Sequence, residues 1–395
     1  MVSTPLLALV AACLGLAAGA AARRKIGSAG CGKNIPSGHE LGQDLAVNVS
    51  SGGDSRNYRI YLPPTYTEDE PSPLVISYHG GLRNASWQTG LDGIVDEPFF
   101  NKHYIVVHPD GLNMSWQGTP DKETGNDIQF TSDFLDDIEG RYCVDTLRIF
   151  ATGKSNGGGF VNLAACDPQL STRIAAFAPV SGSFYVYDIT GPDCDPETVR
   201  LPCSPGRDDV AVMEFHGGAD TTIPYYGNAT RKDACLPAIP HWAREWAGRN
   251  RIGGDPAVRT LPGSGAAVVL FEWGSGARKG LVSQVFDPGL AHSWPSTAPN
   301  LDTEEKGEEP ASYNATHVML EFFEKHPLAT SHAERRWNPV GAVWRRVEQG
   351  LRRLGLARKA RRGERSFVGR RAKVRGDGTA VSRVGREERA QVAHV

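Results

Sequence analysis

The feature that most constrains the fold is a serine between glycines, placed after a strand-like run and before a helix-like run. Residues 147–152 read Leu-Arg-Ile-Phe-Ala-Thr, residues 153–159 read Gly-Lys-Ser-Asn-Gly-Gly-Gly, and residues 160–165 return to a helical apolar pattern. This is a GxSxG motif in a strand-turn-helix context, where Ser155 occupies a strained turn that lifts its hydroxyl clear of a sheet. Side chains at Gly153 and Gly157 would collide with the neighbouring strand and helix.

Short β-branched runs alternate with helical patterns over the rest of residues 30–330. Several of the strand-like runs are continuously hydrophobic, as expected for a parallel sheet covered on both faces. The alternation predicts an α/β fold, a three-layer sandwich with a mostly parallel central sheet. The predicted strands span residues 58–62, 74–79, 104–108, 147–152, 174–180, 210–216, 266–271 and 284–286. The predicted helices span residues 128–142, 157–165, 236–249 and 312–325.

Three interpretations fit a glycine-rich turn of this kind: a plain glycine-rich loop between strand and helix, a phosphate cradle, or a nucleophile. The chain contains no GxxxxGK[ST] motif, which disfavours the phosphate cradle. A serine nucleophile needs a base, and in this fold an acid and then a histidine follow it along the chain. Asp220 lies just beyond the predicted strand 210–216, although it could instead serve as a turn or cap residue. His292 lies in a loop that precedes Pro295 and follows the last predicted strand.

The order Ser155, Asp220, His292 therefore predicts a catalytic triad. We interpret His216 and His241 as structural or surface residues. His317 falls inside a predicted helix, and His326 lies at the solvated end of that helix. Lys154, which precedes the nucleophile, is expected to face the surface rather than to take part in catalysis.

An acyl-transfer site also needs two backbone N–H groups to stabilise an oxyanion. The residue after the nucleophile, Asn156, is predicted to supply one of them. The loop after strand 74–79 is predicted to supply the other, from Gly81 or Leu82, although the same residues could form a simple tight turn. Trp116 and Trp294 are predicted to stack on a phenolic ring or a sugar of a substrate, with plain packing as the alternative.

The N-terminus predicts export. Residues 6–22 form an apolar run rich in Leu and Ala, and Arg23, Arg24 and Lys25 follow it. This pattern is typical of a signal peptide over residues 1–22, cleaved after Ala20 or Ala22, and an uncleaved anchor is the alternative. We therefore expect a secreted, extracellular protein. Cleavage would also remove the first cysteine of the chain.

Six cysteines would then remain, and an even number in an exported chain predicts three disulfides. Cys143 and Cys166 bracket the Ser155 turn and are one candidate pair, but the sequence does not choose among the fifteen connectivities. The spacings do not resemble those of a zinc site. The predicted disulfide cysteines are Cys31, Cys143, Cys166, Cys194, Cys203 and Cys235. Five sequons fit the same compartment and are candidate glycosylation sites: Asn48, Asn84, Asn113, Asn228 and Asn314.

The net charge of −2 hides an asymmetry. Residues 331–395 carry 18 Lys plus Arg and 6 Asp plus Glu, a net charge of +12, so the preceding 330 residues carry −14. The change predicts a folded domain over residues 31–330 and a basic, disordered tail over residues 331–395. Residues 342–356 could form a basic amphipathic helix for an anionic surface, and a solvated chain end without a role is the alternative.

Several segments together resemble secreted fungal feruloyl esterases, which are related to polyhydroxybutyrate depolymerases within the α/β-hydrolase superfamily. The resemblance spans residues 31–326 and rests on ATGKSNGGGF at 151–160, YRIYLPP at 58–64, EFHGGADTTIPY at 214–225 and HSWP at 292–295. It implies an α/β-hydrolase catalytic domain in which Ser155, Asp220 and His292 form the triad, in agreement with their order. Two features depart from the pattern: the apolar pair Gly81 and Leu82, and the basic tail.

The resemblance further implies a serine carboxylic-ester hydrolase that releases ferulate and related hydroxycinnamates from arabinoxylan or pectin, without a metal or organic cofactor. Its partner would be feruloylated plant cell-wall polysaccharide, and we expect a monomer with no nucleic-acid or membrane partner. An acetyl xylan esterase or a polyhydroxyalkanoate depolymerase would share the triad and the fold. A catalytically silent hydrolase domain used for recognition is the non-enzyme alternative, and the three triad residues in order argue against it.

Overall fold

The computed structural model describes residues 25–95, 101, 103–120 and 125–330. The predicted signal peptide and the predicted basic tail with its amphipathic helix lie outside the described residues. Ten strands form one sheet: β1 (Asp44–Ser51), β2 (Asp54–Tyr61), β3 (Ser72–Tyr78), β4 (Ile105–Pro109), β5 (Val144–Lys154), β6 (Ala176–Val180), β7 (Ala211–Gly217), β8 (Ala257–Thr260), β9 (Val269–Trp273) and β10 (Val282–Asp287). Their order across the sheet is β1-β2-β4-β3-β5-β6-β7-β10-β9-β8.

The six central strands of the sheet pair in parallel; across the sheet they are β4, β3, β5, β6, β7 and β10. The two strands at either edge pair antiparallel, as β1 with β2 and as β8 with β9. A mostly parallel sheet needs helices on both faces, because each connection between parallel strands crosses over one face. The predicted α/β fold class is confirmed.

Among the described residues, six α-helices cover the two faces: α1 (Ala85–Asp92), α2 (Asp127–Arg141), α3 (Asn156–Cys166), α4 (Ile239–Arg249), α5 (Leu301–Lys306) and α6 (Ala315–Lys325). Side chains of one strand alternate between the faces, so each face has its own core. In β3, Leu74 and Ile76 pack into the core beneath α2, α3 and α4, whereas Val75 packs into the core beneath α1 and α6. The protein is therefore a three-layer sandwich of the α/β-hydrolase kind.

Three disulfides are present, as predicted: Cys31–Cys143, Cys166–Cys203 and Cys194–Cys235. The candidate pairing of Cys143 with Cys166 is wrong. Cys143 instead meets the N-terminal segment, which is held alongside by the bond from Ser28 N–H to Val144 C=O at 2.9 Å. Cys166 meets Cys203 because its carbonyl accepts a hydrogen bond from Ser204 N–H at 3.2 Å.

The predicted sequons differ in accessibility, and their glycosylation stays a prediction. Asn48, Asn84 and Asn113 are exposed, whereas Asn228 and Asn314 are half-buried. Asn84 and Asn314 also use their side-chain oxygens as helix N-caps, for α1 and α6. Within the described ranges, no helix combines the length and the apolar character needed to cross a bilayer.

Candidate active site

Ser155 lies at the sharp turn between β5 and α3. Its backbone has φ 54° and ψ −113°, a strained conformation for a residue with a side chain. The turn is tight because α3 packs directly on β3: a Cβ at Gly157 would lie only 2.3 Å from the carbonyl oxygen of Tyr78. Ser155 N–H donates to Val180 C=O at 2.9 Å, which fixes the turn against β6. The serine thus sits at the carboxyl edge of the sheet.

Asp220 and His292 come to the same edge from the loops after β7 and β10. His292 Nδ1 and Asp220 Oδ2 are 2.6 Å apart, which leaves the other ring nitrogen available to a third group. The second carboxylate oxygen of Asp220 accepts the N–H groups of Thr222 at 2.8 Å and Ile223 at 2.7 Å. His292 lines one pocket together with Ser155. The structure therefore brings the three predicted triad residues together.

His216 lies behind Asp220 and is fully buried. Its Nδ1 is 2.6 Å from Glu214 Oε1 and its Nε2 is 2.7 Å from the carbonyl oxygen of Ile223. Burial lowers the pKa of His216, but the nearby Glu214 carboxylate outweighs burial and raises it. Burial also raises the pKa of Glu214 itself. His216 Nε2 also lies 3.6 Å from Asp220 Oδ2, in the structural role predicted for His216.

The electrostatics of the site suit a proton transfer to His292. Burial, followed by the charge of Lys154, lowers the pKa of His292 to about 4, so the imidazole is neutral at neutral pH and can accept a proton. Burial alone would raise the pKa of Asp220. Its hydrogen bond with His292 and the charges of His292 and His216 outweigh burial and hold that pKa below the ordinary value.

Lys154 does not face the surface as predicted. It is 5% exposed, its ammonium pairs with Asp302 Oδ2 at 2.7 Å, and it donates to the backbone carbonyl of His292 at 3.1 Å. The prediction was wrong because β5 is a central strand whose end is covered by the His292 loop. Lys306 donates to the same carbonyl. Two lysines thus hold the backbone of His292, and the sequence motifs do not predict either contact.

The predicted oxyanion donors lie next to each other beside Ser155. Asn156 is the first residue of α3, so its N–H has no partner within the helix. A Cβ at Gly81 would lie 3.6 Å from Asn156 Cβ. Leu82 N–H donates to Met114 C=O at 2.8 Å, whereas no acceptor for Gly81 N–H occurs among the described residues. The geometry therefore favours Gly81 over Leu82, and the oxyanion role itself stays a prediction.

The two tryptophans are core residues, and the prediction that they contact a substrate is wrong. Trp116 is 0% exposed and Trp294 is 1% exposed. Trp116 Nε1 donates to His79 C=O at 2.9 Å, and Trp294 Nε1 donates to Thr316 Oγ1 at 3.1 Å. Trp116 also helps to hold the turn at Ser155, since its backbone N–H donates to Asn156 Oδ1 at 2.8 Å.

Two pockets meet at Ser155, and both include Gly81 and Thr222. The first pocket contains His292 and is bordered by Arg83, whose guanidinium lies 3.9 Å above the Trp87 ring. The second pocket extends away from His292, and its further lining includes Leu82, Tyr185, Ile223 and Arg231. Arg231 Nε donates to Tyr185 Oη at 3.2 Å. Among these lining residues, Leu82 was a predicted site residue and Ile223 lies in the EFHGGADTTIPY segment, whereas Tyr185 and Arg231 come from loops without a motif.

The chain is similar in sequence to esterases of fungi, although no family model matches it. It is 30% identical to feruloyl esterase B of Piromyces equi over 218 residues, which cover 53% of this chain and 38% of that protein. It is 29% identical to feruloyl esterase D of Neurospora crassa over 229 residues, which cover 53% of this chain and 70% of that protein. A bifunctional acetylxylan esterase/xylanase of Neocallimastix patriciarum is 31% identical over 44% of this chain and 22% of its own.

Among solved structures, an acetyl xylan esterase from Aspergillus awamori has a TM-score of 0.49 and 17% identity, with 71% of this chain and 99% of that chain covered. The chain spans well under half the length of the Piromyces relative and about two thirds of the Neurospora relative. The sequence likeness confirms the resemblance that the motifs predicted: this chain is similar in sequence to feruloyl esterases of fungi.

Proposed function

We propose that this chain is an extracellular serine esterase that releases ferulate and related hydroxycinnamates from plant cell-wall polysaccharide. The observation that carries the proposal is the arrangement at the sheet edge. Ser155 lies on a strained turn in one pocket with His292, and His292 is bonded to Asp220 at 2.6 Å. The names of the relatives support the substrate class. The three disulfides fit an exported protein.

The mechanism is acyl transfer in two steps. His292 takes the proton of the Ser155 hydroxyl as the oxygen attacks the ester carbonyl, and Asp220 stabilises the imidazolium that forms. The N–H groups of Gly81 and Asn156 stabilise the oxyanion. The imidazolium returns its proton to the leaving alcohol as the C–O bond breaks. A water molecule then repeats the sequence on the acyl-enzyme and releases the free acid.

The second pocket supports an aromatic acyl group. Its volume is about 260 Å³, and apolar groups of Leu82 and Ile223 lie beside the Tyr185 ring. A planar phenolic ring can use such walls, whereas an acetyl group would leave most of them uncovered. The acetylxylan esterase among the relatives keeps acetylated xylan as the second candidate substrate.

The test compares the wild-type protein with Ser155→Ala on methyl ferulate, acetylated xylan and hydroxybutyrate oligomers. We expect the wild type to prefer methyl ferulate and the variant to lose at least about 10³-fold in kcat/KM, because the nucleophile is gone. The melting temperature should be unchanged, since alanine occupies the same backbone. A fluorophosphonate probe should label the wild type but not the variant. Undiminished turnover by Ser155→Ala would overturn the proposal.

A further inference from the structure

A third pocket, which we call the distal pocket, lies beside α3 and away from His292. Asn162, Leu163, Phe184, Tyr187, Trp242 and Arg249 are among the residues that line it, and its volume is about 280 Å³. Phe184 stacks on Trp242 with the ring centroids 4.5 Å apart, so that wall is rigid. The Tyr187 side chain is 42% exposed, which leaves part of its ring available to a ligand.

The side chain of Asn162 has a defined orientation in this pocket. Its Oδ1 accepts hydrogen bonds from Trp242 Nε1 and Trp246 Nε1, both at 3.0 Å. An indole N–H can only donate, so the amide oxygen must face the two tryptophans. The NH2 end is then left with two donors, and no acceptor for them occurs among the described residues. The pocket therefore presents fixed donors beside aromatic walls, and an exposed carboxylate, Asp188, lies in its lining.

The distal pocket borders the second pocket. Tyr185 lines both pockets, because the segment after β6 passes from Ser183 in the second pocket to Tyr187 in the distal one. Gly118 lies close to two lining residues of the distal pocket, because a Cβ there would lie 2.8 Å from Leu163 Cδ1 and 3.9 Å from Tyr187 Oη. Asn162 is seven residues beyond Ser155, about 10 Å along the axis of α3. A chain of a few sugar residues could span that distance.

We propose that the distal pocket is a subsite for a neutral sugar residue of the polysaccharide, remote from the ester that Ser155 attacks. A sugar ring has apolar C–H faces, which fit the Tyr187 ring, and hydroxyl groups, which can accept hydrogen bonds from the Asn162 NH2 group. Neutral sugars suit the site because the Arg249 guanidinium already donates hydrogen bonds to Leu201 C=O at 2.7 Å and to the Glu245 carboxylate at 3.1 Å. This inference rests on the proposed function, since it assigns a carbohydrate substrate.

Two variants test the subsite on a feruloylated arabinoxylo-oligosaccharide and on methyl ferulate. Tyr187→Ala removes the exposed ring. Asn162→Asp keeps an acceptor for both tryptophan N–H groups and replaces the free donors with an acceptor. We expect each variant to raise KM for the oligosaccharide by about threefold to tenfold, as loss of one aromatic or hydrogen-bond contact would. KM and kcat for methyl ferulate should stay at the wild-type values, because that substrate does not reach the distal pocket.

Tyr226→Ala is the matched control, because Tyr226 is 69% exposed and lines neither the second nor the distal pocket. This variant should leave KM and kcat for both substrates at the wild-type values. An unchanged KM for the oligosaccharide in both distal variants would overturn the subsite while methyl ferulate turnover still supports the esterase. Binding of an unsubstituted xylo-oligosaccharide to Ser155→Ala, measured by calorimetry, gives a readout without turnover. No binding, or equal binding after Tyr187→Ala is added, would also overturn the subsite.

Discussion

His292 is held from two sides by groups of opposite charge. The Asp220 carboxylate accepts from Nδ1, and the Lys154 ammonium donates to the backbone carbonyl. Buried in this way, the imidazole is harder to protonate than a histidine in water, which places its pKa at about 4. His292 must be neutral to take the Ser155 proton. Activity should therefore persist at acidic pH and fall as the pH drops through about 4.

Removing the charge of Lys154 should move that acidic limit upwards. We expect Lys154→Met to raise the apparent pKa of kcat/KM for methyl ferulate, because the lysine charge lowers the pKa of His292. Lys306→Met should raise the same apparent pKa by a smaller amount, since the charge of Lys306 lowers the pKa of His292 less than that of Lys154 does. The measurement is a pH profile of kcat/KM. An acidic limit that stays in place in both variants would show that the lysines do not tune His292.

Lys154→Met also leaves the Asp302 carboxylate buried without its partner. Breaking a buried ion pair costs about 3–5 kcal/mol, so the single variant could be unstable. The double variant Lys154→Met/Asp302→Leu removes both charges and provides the same pH test. It should show the raised acidic limit together with recovered stability in thermal melting.

Sequence order identified residues that the structure brings to one site, but not the charged groups that surround them. Ser155, Asp220 and His292 were found because the chemistry requires those residue types in that order. Lys154 was misjudged, since its partner Asp302 lies 148 residues away and only the fold joins them. The buried tryptophans were misjudged because an indole suits a core and a binding surface equally well.

At the scale of elements, the sequence predicted the covered parts of the fold and missed the edges. All eight predicted strands correspond to strands of the sheet. Six of them are the buried central strands that pair in parallel, which are continuous apolar runs. β8 was missed because its four residues are all exposed and carry no burial pattern. β1 is only partly buried. α1 and α5 were missed because they are short and their starts depend on Asn84 and Asn300 as N-caps.

The Cys31–Cys143 disulfide ties the N-terminal segment to the start of β5 and closes a loop of 112 residues. A loop of this length gives a chain-entropy stabilisation of about 4–5 kcal/mol. We expect Cys31→Ala/Cys143→Ala to lower the free energy of unfolding by about 2–5 kcal/mol, measured by chemical denaturation. The Cys194–Cys235 disulfide closes a loop of only 41 residues. Cys194→Ala/Cys235→Ala is therefore the matched comparison, with a smaller expected loss in the free energy of unfolding. A larger loss in the second variant would contradict the entropic account.

At the scale of the whole molecule, charge is divided along the chain rather than balanced locally. Residues 331–395 carry a net charge of +12 and the preceding residues −14. A basic segment attracts polyanions over about one Debye length, which is about 10 Å at 0.1 M salt and about 30 Å at 0.01 M. An esterase whose substrate lies among acidic wall polymers could use such a segment to stay near its polymer.

Deleting residues 331–395 tests that use of the tail. We expect the truncated protein to lose retention on immobilised polygalacturonate at 0.01 M salt, because the remaining chain is acidic and repelled by the polymer. The retention of the full-length protein should decline steeply towards 0.15 M salt, since screening acts on the same contacts. Hydrolysis of methyl ferulate should be equal in the two proteins, because every residue of the triad and its pockets precedes the deletion. Equal retention at low salt would mean that the positive charge of the tail does not hold the enzyme to the polymer.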